Sequence, residues 1–380
     1  MDFKKMVADR HEYAKAWKAR TDGKVLGYFE TYFPEEVAYA AGILPIRVLA
    51  EHEPDINSDK WIYGSCYPAK DIVNQFLIGR MDYIDGLVNV EGCQWMFNSY
   101  EVITNNKPGM FKHYLFLPDY TESKTSKTAL CSELEVFKSR IEEWTGKKIT
   151  DEALDNAIGI YNANRYLLRR ICELRRADRP AILGSEYMNM MLANQVMDKA
   201  EMNDILEEFI NEIDNRKPCR DMIRLMMIGS ETWDSELEEL IESLGGNVVI
   251  DELDNGTSYF WNTIYPQKDR LMAISLRYLD RPRQPIKDSN WRRRPEHIAR
   301  LAEDYNVDGA IIGKQIYCHP HGTDNYAVWK ILRERNVQFH YFERDMTVPK
   351  EETTLRLEAF MNMLREGITR LAGWHNKVEI

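Results

Sequence analysis

The chain predicts an α/β fold: two doubly wound, mostly parallel sheets joined by a helical middle segment. Three observations carry that expectation. Short β-rich runs alternate with helical ones in the first third, and the same alternation returns from residue 221. Between them, from about 125 to 217, the apolar spacing is helical. The length of 380 residues exceeds the roughly 250–300 at which one hydrophobic core stops growing. The expected boundaries are an N-terminal α/β domain over 1–124, a helical domain over 125–217, and a C-terminal α/β domain over 218–380 with a terminal helix.

Taken in order, VLGYFE (25–30) reads as a strand, and PEEVAYAAG (34–42) as a helix stopped by Gly42. ILPIRVL (43–49) is a second strand. PAKDIVNQFLIGRM (68–81) has helical spacing with Pro68 in its first turn, and DGLVNV (85–90) is a short buried strand. Strands alternating with helices imply crossover units and a parallel sheet. In the middle, ELEVFKSRIEEWTG, DEALDNAIGIYNANRYLLRRICELRRA and the segment after Gly184 are amphipathic helices. DMIRLMMIGS (221–230), NVVIDEL (247–253), DGAIIG (308–313) and VQFHYFE (337–343) read as strands. Helices SELEELIESLGG (235–246), EHIARLAEDYN (296–306) and DNYAVWKILRERN (324–336) fall between them, and a last helix spans roughly 351 to 372.

Hydrophobic residues make up 44% of the chain and charged residues 29%, an ordinary globular balance. A net charge of −11 argues against nucleic acid as a partner, since phosphate contacts need clustered cations. No run approaches the ~20 apolar residues that span a bilayer, and the N-terminus has no apolar signal core. A cytoplasmic protein without membrane attachment is expected. The six cysteines are scattered with no CxxC, so structural disulfides are not expected. No phosphate-binding G-x-x-x-x-G-K-[ST] loop occurs, so ATP hydrolysis by this chain is not expected.

Ligands of open α/β sheets bind at the carboxyl ends of the strands, and that rule sorts the cysteines. Cys93 follows the strand GLVNV, Cys318 follows AIIG, and Cys66 immediately precedes a helix. All three are corner residues, where helix N-termini present free N–H groups. Cys131 and Cys172 fall within helical patterns and Cys219 precedes a strand, so these read as small buried hydrophobes. Three thiolates meeting from separate corners suit zinc or an iron–sulfur cluster; scattered loop thiols are the plainer alternative. A cluster held by three cysteines would leave one iron exchangeable. A nucleophile with its base is a third reading of Cys318 and His319, weakened because adjacent side chains seldom aim at each other.

At these residues the sequence resembles the benzoyl-CoA reductase / 2-hydroxyacyl-CoA dehydratase family. The resemblance runs from GYFETYFPEEVAYAAGILPIRVL through GSCYPAKD and VEGCQWM to YCHPHGTDNYAVWKILRERNVQFHYFERD. It implies a subunit that pairs with a related second catalytic-type subunit, each holding a [4Fe–4S] cluster by three cysteines, here Cys66, Cys93 and Cys318. It further implies ATP-hydrolysing iron–sulfur activator subunits, ferredoxin as the electron source, and benzoyl-CoA or a related acyl-CoA as substrate. The details look most like the smaller, C-type (gamma) subunits of the ATP-dependent reductases. Tyr67 and His319 stand where many dehydratase relatives carry an acidic residue, which sits less easily with dehydration. A 2-hydroxyacyl-CoA dehydratase and a non-catalytic electron-relay subunit are the alternatives.

Reducing an aromatic thioester needs donors that stabilise charge on its oxygen and protonate carbon. His319 and His321 are the candidates for that role, with Tyr63 and Glu91 near the cysteine loops. The aromatic segments CQWMFNSY (93–100) and TSYFWNTIY (257–265) would keep the pocket dry. Arg292, Arg293 and Arg294 are candidates for the CoA phosphates.

Overall fold

The computed structural model describes residues 1–51, 58–282, 284–287, 293–344 and 350–367. The strands are β1 (Lys24–Tyr28), β2 (Ile43–Arg47), β3 (Gly86–Val90), β4 (Phe111–Leu115), β5 (Ile223–Gly229), β6 (Gly246–Glu252), β7 (Gly309–Gln315) and β8 (Gln338–Arg344). They form two four-stranded sheets, ordered β2-β1-β3-β4 and β6-β5-β7-β8. Every pairing is parallel. The expected two-sheet α/β architecture is therefore present, each sheet carrying its second strand on one flank and its third and fourth on the other.

The side-chain alternation of a strand explains why helices cover both faces of the first sheet. Leu26, Tyr28, Val88 and Val90 point into one core, shared with the helices Lys124–Thr145 and Arg270–Asp280. Val25, Leu44, Ile46 and Leu87 point into the other, against Tyr67–Leu77 and Gln94–Asn106. In the second sheet Leu225, Met226, Met227 and Ile228 are all buried, the near-continuous apolar run expected when both faces are covered. The helices Gly184–Asn194 and Lys199–Asp214 join that core, and Phe3 from the N-terminal helix Phe3–Ala8 sits edge-on to Phe209 at 4.8 Å.

Two backbone details set the strand ends. A Cβ on Gly229, which has φ +127, would lie 2.0 Å from the Gly313 carbonyl oxygen, so only glycine lets β5 pass β7 there. Tyr317 holds φ 67, a left-handed turn that is uncommon for a bulky residue and that delivers Cys318 to the next helix. The last helix spans Lys350–Arg365 and gives way to a turn at 366–367, with Gly367 at φ 64, short of the expected end near 372; residues from 368 lie outside the described ones. No helix among the described residues is long and apolar enough to cross a membrane.

Candidate functional site: a thiol-lined cavity between the two sheets

Cys66, Cys93 and Cys318 all occupy the N-cap of a helix: Tyr67–Leu77, Gln94–Asn106 and His319–Glu334. N-caps favour Ser, Thr, Asp or Asn, whose oxygen closes the first turn. None of these three sulfurs makes a capping hydrogen bond, so each remains free to serve a ligand. Pro68 and Pro320 follow within the first two helical positions, where proline's missing N–H costs nothing.

All three sulfur-bearing residues line one cavity of about 290 Å³. Its wall also includes Glu30, Trp95, Glu231, Asp254, His319 and His321. The residues come from the carboxyl ends of strands in both sheets, the position at which open parallel sheets bind ligands.

Burial pushes the Cys66 thiol up to about 12 and raises Cys93 and Cys318 as well. Cys318 adds to the rise at Cys66, and both Cys66 and Cys318 add to that at Cys93, so these two sulfurs each feel another's charge. The amides three residues on, of Ala69, Met96 and His321, pull the other way. No disulfide joins them. Buried thiols that oppose one another's ionisation become a favourable set once a cation sits among them. The donor set thus fits a cluster ligated by three thiolates, with the helix N-termini favouring the net negative charge.

The other sequence candidates divide. His321 is buried at the cavity wall, and burial together with Arg294 pushes it down to about 3, so it is neutral. His319 lies on the same wall but is solvent-exposed. Tyr63 is 85% exposed and does not line the cavity; nor does Glu91. Of the aromatic residues Trp95 reaches the wall, its Nε1 donating to the Tyr317 carbonyl at 3.4 Å. Phe97 packs on Tyr114, Tyr259 donates to Glu35, Phe260 is in the core of the second sheet, and Trp261 lies against His297.

The arginine run needs correction. Arg294 is buried and committed to Glu252 and Asp324, because a guanidinium taken out of water must be paired. Arg293 is exposed and pairs with Glu122. Arg292 lies outside the described residues. Buried and doubly paired, Arg294 does not face solvent where a CoA phosphate could reach it.

Sequence reasoning missed the carboxylates. Glu30, Glu231 and Asp254 bring their oxygens within 4.8 Å of one another on the cavity wall. Burial, then Asp254, pushes Glu30 up to about 7, and burial holds Glu231 well above the carboxylate range. At Asp254 burial is outweighed by Arg281 and Arg47, leaving it below its ordinary value. Each follows a buried apolar strand by two residues. That placement was the available signal.

Two parallel sheets whose strand ends meet around three free thiols define an α/β protein built about a thiol-lined cavity. The chain belongs to the family described as 2-hydroxyglutaryl-CoA dehydratase, D-component, whose model matches residues 30–364. It is 24% identical to the C-type subunit of the benzoyl-CoA reductase of Thauera aromatica, over 81% of this chain and 82% of that one. It is 22% identical to the (R)-phenyllactyl-CoA dehydratase beta subunit of Clostridium sporogenes, over 96% and 98%. To the (R)-2-hydroxyglutaryl-CoA dehydratase beta subunit of Acidaminococcus fermentans it is 23% identical, over 96% and 98%. The family is one of dehydratase and reductase subunits that work in multi-subunit complexes.

Proposed function

We propose that this chain is a subunit of an acyl-CoA enzyme and holds a [4Fe–4S] cluster through Cys66, Cys93 and Cys318. The observation that carries the reading is the single cavity lined by three uncapped, unbridged N-cap thiols. When bound, the cluster supplies low-potential electron transfer, with one iron lacking a protein thiolate. The residues of this chain do the rest. The N-termini of helices Tyr67–Leu77, Gln94–Asn106 and His319–Glu334 orient backbone N–H groups toward the thiolates. Trp95, Met96 and Trp233 shield the cavity from water. Neutral His321 offers a ring nitrogen that can accept a hydrogen bond or a proton.

The finer reading is reduction of the benzoyl-CoA ring to a cyclic dienoyl-CoA. In it, ATP-hydrolysing iron–sulfur activator subunits drive electrons from ferredoxin, alongside a related second subunit. Its supports are the match to a benzoyl-CoA reductase subunit and the non-acidic Tyr67 and His319 beside two of the cysteines. Dehydration of a 2-hydroxyacyl-CoA is the second reading, favoured by the polar carboxylate group on the cavity wall. Anaerobic purification with iron and sulfide analysis, EPR, and turnover of both thioester classes tests this. Iron well below about four per chain from fully anaerobic material would sink the cluster; turnover of one class alone decides between the two chemistries.

A further inference from the structure

Three carboxylates on one buried wall pose an electrostatic problem. Glu231 pairs with Arg47, and Asp254 pairs with Arg281 at 2.8 Å. Glu30 is 5% exposed and has no side-chain hydrogen bond or ion pair among the described residues. Lys287, the other cation near Glu30, is committed to Asp119 at 2.8 Å. Two guanidinium groups thus face three carboxyls, and like charges this close in a dry site do not all ionise. The same wall carries unmet acceptors: Gln284 Oε1 and Asp254 Oδ2 are buried without a partner among the described residues.

We propose that Glu30, Glu231 and Asp254 form a proton-holding subsite for an oxygen substituent that the bound acyl group carries beyond its thioester carbonyl, with Glu30 as the hydrogen-bond donor. Gln284 Oε1 and Asp254 Oδ2 accept in return when that oxygen bears a hydrogen. The arrangement deepens the function proposed above and rests on its acyl-CoA reading. A divalent cation is the rival occupant, and it would require all three carboxyls to ionise beside two arginines. Retaining one proton balances the charges without it. Symmetry of placement supports a built site: β1 and β5 are corresponding strands, and each is followed at the same spacing by its glutamate.

The test uses the full chain, purified anaerobically with its cluster. At neutral pH its infrared spectrum is expected to show a protonated carboxyl band that shifts in deuterium oxide and weakens in Glu30→Gln. Calorimetric titration with lactoyl-CoA and propionyl-CoA is expected to show about a tenfold preference for the hydroxylated thioester, the worth of one good hydrogen bond. Glu30→Leu should erase that preference, and Glu30→Gln, whose amide still donates, should keep most of it. Equal affinities in the unsubstituted protein overturn the subsite. So does a preference that survives Glu30→Leu, or stoichiometric binding of Mn²⁺. An altered cluster EPR signal in Glu30→Gln also overturns it, because Glu30 would then be an iron ligand. Iron, sulfide and EPR of the unsubstituted protein report on the cluster separately. A normal cluster with no oxygen preference removes this inference alone, and a chain with no cluster and no thioester affinity removes both.

Discussion

The two sheets repeat one plan, β2-β1-β3-β4 against β6-β5-β7-β8, and they part company in what their strand ends carry. Corresponding strands agree closely. Glu30 and Glu231 stand two residues beyond β1 and β5, and Cys93 and Cys318 stand three beyond β3 and β7. The second strands differ. Beyond β2 the chain makes a long excursion and returns with Cys66 at a helix N-cap; two residues beyond β6 comes Asp254. One half therefore supplies two thiols and one carboxyl, and the other supplies one thiol and two carboxyls. A repeated scaffold fixes where strand ends meet, while the residue at each end decides whether the cavity is soft and metal-binding or hard and proton-holding.

The largest effects should come from the thiols. Cys66→Ser, which removes the thiol with no counterpart in the other half, is expected to cost most of the bound iron and all turnover. The same is expected of Cys93→Ser and Cys318→Ser, read by iron and sulfide assay with EPR. Full iron retention in any one of them would show that its sulfur is not a ligand.

The helices bearing the thiols are anchored differently, and that contrast predicts a graded loss of stability. Asp324 on the Cys318 helix is held by buried Arg294, which also holds Glu252. Arg294→Met leaves two buried carboxylates uncompensated and should cost about 3–5 kcal/mol in chemical denaturation. Asp71 on the Cys66 helix instead accepts from the Glu51 amide at 2.6 Å and from Gln75 at 2.6 Å. Asp71→Ala should cost less, about 1–3 kcal/mol. The reverse ranking would break the comparison between the two anchors.

Each half also contains a histidine that burial pushes down to about 4, His113 on β4 and His297 in the second half. Their folded values lie below that of the unfolded chain. The unfolded state therefore takes up protons first as pH falls from about 6.5. Stability is full above that pH, declines down to about 4, and is then flat with respect to these groups. The decline should reach about 3 kcal/mol for His297, and His297→Phe should flatten it in denaturant midpoints measured across that range. An unchanged slope would mean that the ring is solvated.

The smallest effect concerns the middle helices. Thr150 caps Asp151–Leu174 by accepting from the Ala153 amide at 3.2 Å. Thr150→Ala should cost about 1 kcal/mol and leave cluster content unchanged, since this helix supplies nothing to the cavity wall. Any loss of iron would show that it does.

Most strands and their order along the chain were legible because buried parallel strands write themselves as short apolar runs between glycines and charged turns. β4 escapes that reading. Its FKHYL has only its ends buried, so a charged middle masks an edge strand. Helix Arg270–Asp280 is also easily overlooked, because it packs on the first sheet although it follows β6 in sequence. The cysteines could be sorted by strand-end logic. Their rivals for attention, the arginines, could not, since the commitment of Arg294 depends on Asp324 and Glu252, 30 and 42 residues away.

By itself, then, the sequence determined the local facts: which runs are strands, where helices begin, and which thiols stand at corners. These rest on periodicity, caps and turns within a few residues of one another. Tertiary structure alone decided that Glu30, Glu231 and Asp254 share a wall and that Arg294 does not face solvent. Those outcomes depend on how two separate sheets bring their strand ends together, and on charges that acquire their partners only after water has been excluded.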